Sequence, residues 1–262
     1  MSELFEPVSV GIILKHDADD CPFCKSNLNE KPNPVPQSFD DADWEEDPAS
    51  DTELIGNDAG KLEKNMDDPR PQNWIIDITD LGMEADHKVI PNPHHLIPGN
   101  EALKKATELL KWIFAKHGKI ENDIGYDVNN KNNGVWLPSN NGMRGVSWWT
   151  GDTSIIKKTD YVVKAMDVAQ GQFHDRHNNP YSDFVTKILN KIADRMNGID
   201  ANSGCPFKTE KGENKKFKPP YALVARLNGV SARIKPHLKK DAKPNEVLIT
   251  SKLVKQYWKR KG

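Results

Sequence analysis

The sequence predicts an α+β chain, with short strands and amphipathic helices arranged around a histidine-rich centre. Three observations carry this expectation. Short apolar runs of strand length occur at WIIDI (Trp74–Ile78), KVI (Lys88–Ile90) and VWLP (Val135–Pro138). Longer stretches repeat their apolar residues at helical spacing. The 262 residues are 36% apolar and 29% charged, which suits one large domain or two small ones with substantial unpacked segments.

Four segments follow in order. Residues 1–30 form a small N-terminal element with a strand-like VSVGIIL and the CPFC of Cys21 and Cys24. Residues 31–73 read as an acidic, Pro-rich linker, because KPNPVPQ continues neither a helix nor a central strand. Residues 74–200 are the expected folded domain, and 201–262 a basic C-terminal extension rich in Lys and Arg.

Within the folded part, Leu103, Ala106, Leu109, Leu110, Ile113 and Phe114 share one face of an expected helix, with Asn100 as N-cap and Gly118 as stop. His117 at its end reads as a dipole partner. A second helix is expected over YSDFVTKIL, with Asn179 as cap and Pro180 in the first turn. YALVARLNGVSARI reads as a hairpin turning at Asn228-Gly229, and SKLVKQYWKRK as a closing helix.

No run approaches the ~20 apolar residues of a membrane span. The start shows no basic segment or cleavage site of a signal peptide, so the expectation is a cytoplasmic protein in its producer, exported without one. Three cysteines argue against a disulfide framework. Cys21 and Cys24, with the distant Cys205 and with His16, are candidates for a structural zinc site; a redox pair and plain thiols remain open readings.

The chemistry concentrates in three motifs. NPHHLIPGN places His94 and His95 side by side; in extended backbone their rings point to opposite faces and serve different tasks. NNGVWLP carries Asn133, with Asn132 beside it, and HDRHNNPYSDFV carries His174 and His177 at the mouth of a helix. A histidine can act as a base near neutral pH, and a divalent cation held by such side chains can stabilise developing charge.

In this order, over roughly Ile90 to Met196, the motifs resemble the AHH branch of the HNH/endonuclease VII superfamily, the ββα-metal nucleases. Pro93 stands where that family's name gives Ala. The resemblance implies a ββα-metal core with a helical insertion and a metal-dependent, non-specific endonuclease acting preferentially on DNA. It implies His95 as general base and His94 as metal ligand, the two being exchangeable on sequence alone. It further implies Asn133 in the middle position, orienting the base or tying the loop, and His177 or His174 as the remaining ligand.

Arg176 and Arg144 are the expected phosphate contacts, and Trp148 or Trp149 is expected to pack over the core. The implied cofactor is Mg²⁺ or Zn²⁺, with Mn²⁺ or Ni²⁺ as further choices. Such domains serve widely as toxin modules of bacterial competition, which implies an antibacterial effector, a secretion-system partner and a cognate immunity protein. The competing class is a non-enzymatic, zinc-stabilised module binding nucleic acid or protein.

Overall fold

The computed structural model describes residues 54–83, 86–175, 179–201, 216–240, 242 and 247–261. The fold is α+β, as expected. Three antiparallel strands form one small sheet in the order β1 (Trp74–Ile76), β2 (His87–His95), β3 (Gly134–Ser139). Among the described residues, the helices of seven or more residues are α1 (Ala59–Asn65), α2 (Ile155–Ala169), α3 (Asn179–Ala201), α4 (Ala222–Ile234) and α5 (Lys252–Lys261). No described helix is long and apolar enough to cross a membrane.

β2 is longer than its sequence suggests. Pro91 and Pro93 argue for a loop, yet the strand runs through both to His95. Two features accommodate them. β1 covers only His87–Val89, so beyond that point β2 has a neighbour on one side only. Pro91 pairs with Pro138, and neither has an N–H to give, so this is a non-hydrogen-bonded pair of the ladder. The histidine pair thus sits in a strand, opposite Val135 and Gly134.

Two apolar cores flank the sheet. The first collects the insertion between β2 and β3 with α3 and α4: Leu96, Leu109, Trp112, Phe114, Val185, Leu189, Leu227 and Ile234 are all buried in it. The second joins β1 and the start of β2 to α2 and α5 through Ile76, Val89, Tyr161, Met166, Phe173 and Val254. Trp148 and Trp149 pack against this second core, as the sequence suggested.

Three expectations are corrected. The helix expected from Asn100 to Gly118 is broken into separate turns at Gly99–Leu103, Thr107–Leu110 and Ala115–His117. Burial of Leu103, Ala106, Leu109, Trp112, Ile113 and Phe114 exceeds what one helix face can hide, so the segment wraps through the core. The expected Asn228-Gly229 hairpin is helix α4, because Leu223, Leu227, Val230 and Ile234 recur at helical spacing and are buried together. The stretches taken as linker and tail are not bare: α1 and the residues around it bury Ile55, Leu62 and Met66, while α4 and α5 enter the two cores. Few apolar anchors among many charges hid these elements.

Candidate active site

The end of β2 presents His94 and His95 to opposite faces, and both are almost fully buried, at 2% and 3% exposure. On one face the His94 ring meets the His174 ring edge-on at 4.7 Å between centroids, and Tyr181 at 5.5 Å. The backbone N–H of His174 donates to the Pro138 carbonyl over 2.7 Å, which docks the segment leading into α3 against the edge of β3. Asn92 Nδ2 faces His174 Nδ1 over 3.2 Å, and Asn92 Oδ1 accepts from Asn141 Nδ2 over 3.2 Å. These two amides are each other's partners and can turn together. Turned, Asn92 offers its oxygen to an Nδ1–H of His174, which leaves Nε2 with the lone pair a metal ligand needs. Both ring nitrogens of His94 and Nε2 of His174 are shut off from solvent.

On the other face, His95 Nε2 lies 2.8 Å from Asn129 Oδ1. The amide's orientation is fixed by partners of unambiguous polarity. The Asp58 backbone N–H donates to Oδ1 over 2.9 Å, and Nδ2 donates to the Gly56 carbonyl over 3.1 Å. Asn129 is wholly buried, so a flipped amide would set donor against donor and acceptor against acceptor. His95 therefore donates from Nε2, and its neutral ring carries the lone pair on Nδ1.

Asn133, also wholly buried, ties the loop rather than a histidine. Its Oδ1 accepts from the Ile97 N–H at 2.7 Å and from the Ser231 hydroxyl at 2.8 Å. Its Nδ2 donates to the Ile97 and Val128 carbonyls at 2.9 and 2.7 Å, and its own carbonyl accepts from the Leu96 N–H at 2.9 Å. Of the two roles open on sequence, the tie is the one seen; the contact to the His95 ring comes from Asn129 instead. Neighbouring Asn132 is exposed. Tyr181, in the first turn of α3, donates its hydroxyl to the Leu96 carbonyl over 2.8 Å, and complete burial holds its phenol well above the usual range.

Arg144 is exposed just after the Asn140–Met143 turn. A Cβ on Gly142 of that turn would lie 2.7 Å from the Lys88 carbonyl, which puts the turn's end toward the far end of β2 from His94. His177, Arg176, Cys21, Cys24, Cys205 and His16 lie outside the described residues. Three groups escaped the sequence reading: Asn129, Tyr181 and Ser231. Asn129 sits in an Asn-rich stretch that looks like a turn, and only its burial distinguishes it.

Residues 85–203 match the family model of AHH, a nuclease family of the HNH/ENDO VII superfamily with conserved AHH. Residues 85–203 are an AHH nuclease domain. The match takes in β2, the insertion, β3, α2 and the described part of α3, while α1, β1, α4 and α5 lie outside it. No curated protein and no solved structure matches the chain. As a nuclease, the AHH domain has nucleic acid as its substrate, and nucleases of its superfamily generally use divalent metal ions. His94 and His174, with buried ring nitrogens and rings in contact, fit such an ion as a pair. No group of three or more His, Cys, Asp or Glu suited to a metal occurs among the described residues.

Proposed function

We propose that the AHH domain is a metal-dependent endonuclease with little sequence preference that favours DNA. The observation that carries this reading is the split between two adjacent histidines. His94 faces His174, and His95 is held from behind through Nε2.

In this reading His94 and His174 hold the ion, and His95 is the base. Its Nδ1 takes the proton of the attacking water, while the Nε2–H stays on Asn129 and keeps the ring in one tautomer. A bound divalent cation would polarise the scissile phosphate and stabilise the charge that builds on it and on the departing oxygen. The lysines of α5, Lys252, Lys255 and Lys259, and Arg233 of α4 would add contacts to the phosphate backbone, which carry no sequence information. Affinity should therefore fall with salt.

By its family resemblance, the chain would act as an antibacterial effector, with an immunity protein that masks the site in the producer. Plasmid DNA and RNA, incubated with the full chain in EDTA, Mg²⁺, Mn²⁺, Zn²⁺ or Ni²⁺, test the activity. Metal-dependent cutting that disappears in a folded His95→Ala variant supports the reading, and no cutting of either polymer with any metal removes it. Normal growth of bacteria expressing the wild-type chain would remove the toxin role alone.

A further inference from the structure

We infer that Asn129 is a positioning residue for the base, and that its hold depends on a strap, residues 54–66, outside the segment matched to the family. This rests on the assignment of His95 as base.

Asn129 is saturated from two directions. Its backbone N–H and its Nδ2 both donate to Asp127 Oδ1, at 2.7 and 3.1 Å, and Asp127 Oδ2 pairs with Lys61 of α1 at 3.0 Å. The strap adds the Gly56 carbonyl, the Asp58 N–H and the Asn65 amide, which donates to the Asn129 carbonyl over 2.9 Å. The Val128 N–H donates to the Leu54 carbonyl over 2.9 Å, fixing the residue before Asn129 to the same strap.

Each of these bonds acts on one consequence. Asn129 Oδ1 stays aimed at His95 Nε2, and the imidazole cannot place its proton on Nδ1 without losing that bond in a buried site. The neutral amide also differs from a carboxylate in this place: it fixes tautomer and ring plane without adding negative charge.

The test uses the full chain with ¹⁵N-labelled histidine. Long-range ¹H–¹⁵N spectra, with the His95 signals assigned by their loss in His95→Ala, are expected to show the Nε2–H tautomer. An Nδ1–H tautomer in the wild type overturns the proposal. Asn129→Ala should mix the tautomers and slow cleavage about 10- to 100-fold, with metal affinity unchanged. The exchange variant Asp127→Asn/Asn129→Asp keeps one amide and one carboxylate and restores an acceptor facing Nε2, while giving up the bond to the Gly56 carbonyl. It should recover the Nε2–H tautomer and part of the lost rate.

Mixed tautomers in a folded exchange variant, or wild-type speed in Asn129→Ala, would contradict a positioning role. Should Asn129→Ala fail to fold, the wild-type tautomer and the exchange variant decide. The tautomer is read without any cleavage, so an inactive wild type with an Nε2–H His95 would sink the nuclease reading and leave the positioning intact.

Discussion

Gly99→Ala is the sharpest available perturbation of the strap, because it replaces neither a histidine nor a hydrogen-bonding side chain. A Cβ at Gly99 would lie 1.8 Å from the Ile55 carbonyl oxygen, 2.9 Å from its carbon and 3.0 Å from Asn57 Oδ1. The clashing atoms are mostly backbone and cannot rotate away. Relieving the closest contact to 3.0 Å requires the strap to retreat by about 1.2 Å. A bond of 2.9 Å stretched by that much is no longer a hydrogen bond.

The bonds at stake are Gly99 N–H to Asn57, Asp58 N–H to Asn129, and Asn129 to the Gly56 carbonyl. Losing two or three of them at about 1 kcal/mol each predicts a loss of about 2–3 kcal/mol. Urea unfolding followed by tryptophan fluorescence measures it. Cleavage should fall as well, because Asn129 moves with the strap. A stability within about 0.5 kcal/mol of wild type, with unchanged cleavage, would refute the claim that strap and base are joined.

Asn133→Ala should cost more, about 3 kcal/mol or above, since it strands buried backbone groups of Ile97 and Val128 together with the Ser231 hydroxyl; thermal unfolding reads the loss. Tyr181→Phe removes the donor to the Leu96 carbonyl and should cost about 1–2 kcal/mol, measured by the same unfolding curves. Burial lowers the pKa of His87, of His117 and of His237 below the usual 6.5. The unfolded chain therefore binds more protons, and stability should fall as pH drops through 6.5 toward those lowered values. Thermal midpoints across this window should fall less steeply in His87→Gln, and an identical slope would count against the burial argument. Asp77 and Glu108, held below the usual range chiefly by hydrogen bonds from Thr79 and Lys111, act only in more acid solution.

The order of the motifs was legible because each chemical group is a rare residue type at a fixed place: two histidines on a strand, Asn133 before Gly134, His174 before a helix. Asn129 was not legible. YDVNNKNNG has the composition of an exposed turn, and nothing local says that Asn129 is buried while Asn132 is exposed. The strap was hidden for a similar reason. Its anchoring depends on Ile55, Leu62 and Met66 amid acidic neighbours, and on contacts to residues about seventy positions away. The prolines of β2 misled in the other direction, since only the short reach of β1 makes them tolerable in a strand. At Asn228-Gly229 the turn signal was outweighed by four buried apolar residues at helical spacing. Long-range pairing decides such cases, and local propensity does not see it.

The central claim is that adjacent histidines divide the work, His94 holding an ion and His95 moving a proton. Calorimetric titration of the full chain with Mn²⁺ or Zn²⁺, run beside plasmid cleavage for wild type, His94→Ala and His95→Ala, tests this division most directly. His95→Ala should bind metal as wild type does and fail to cut, whereas His94→Ala should lose metal binding and cutting together. Metal binding lost in His95→Ala and retained in a folded His94→Ala would contradict it.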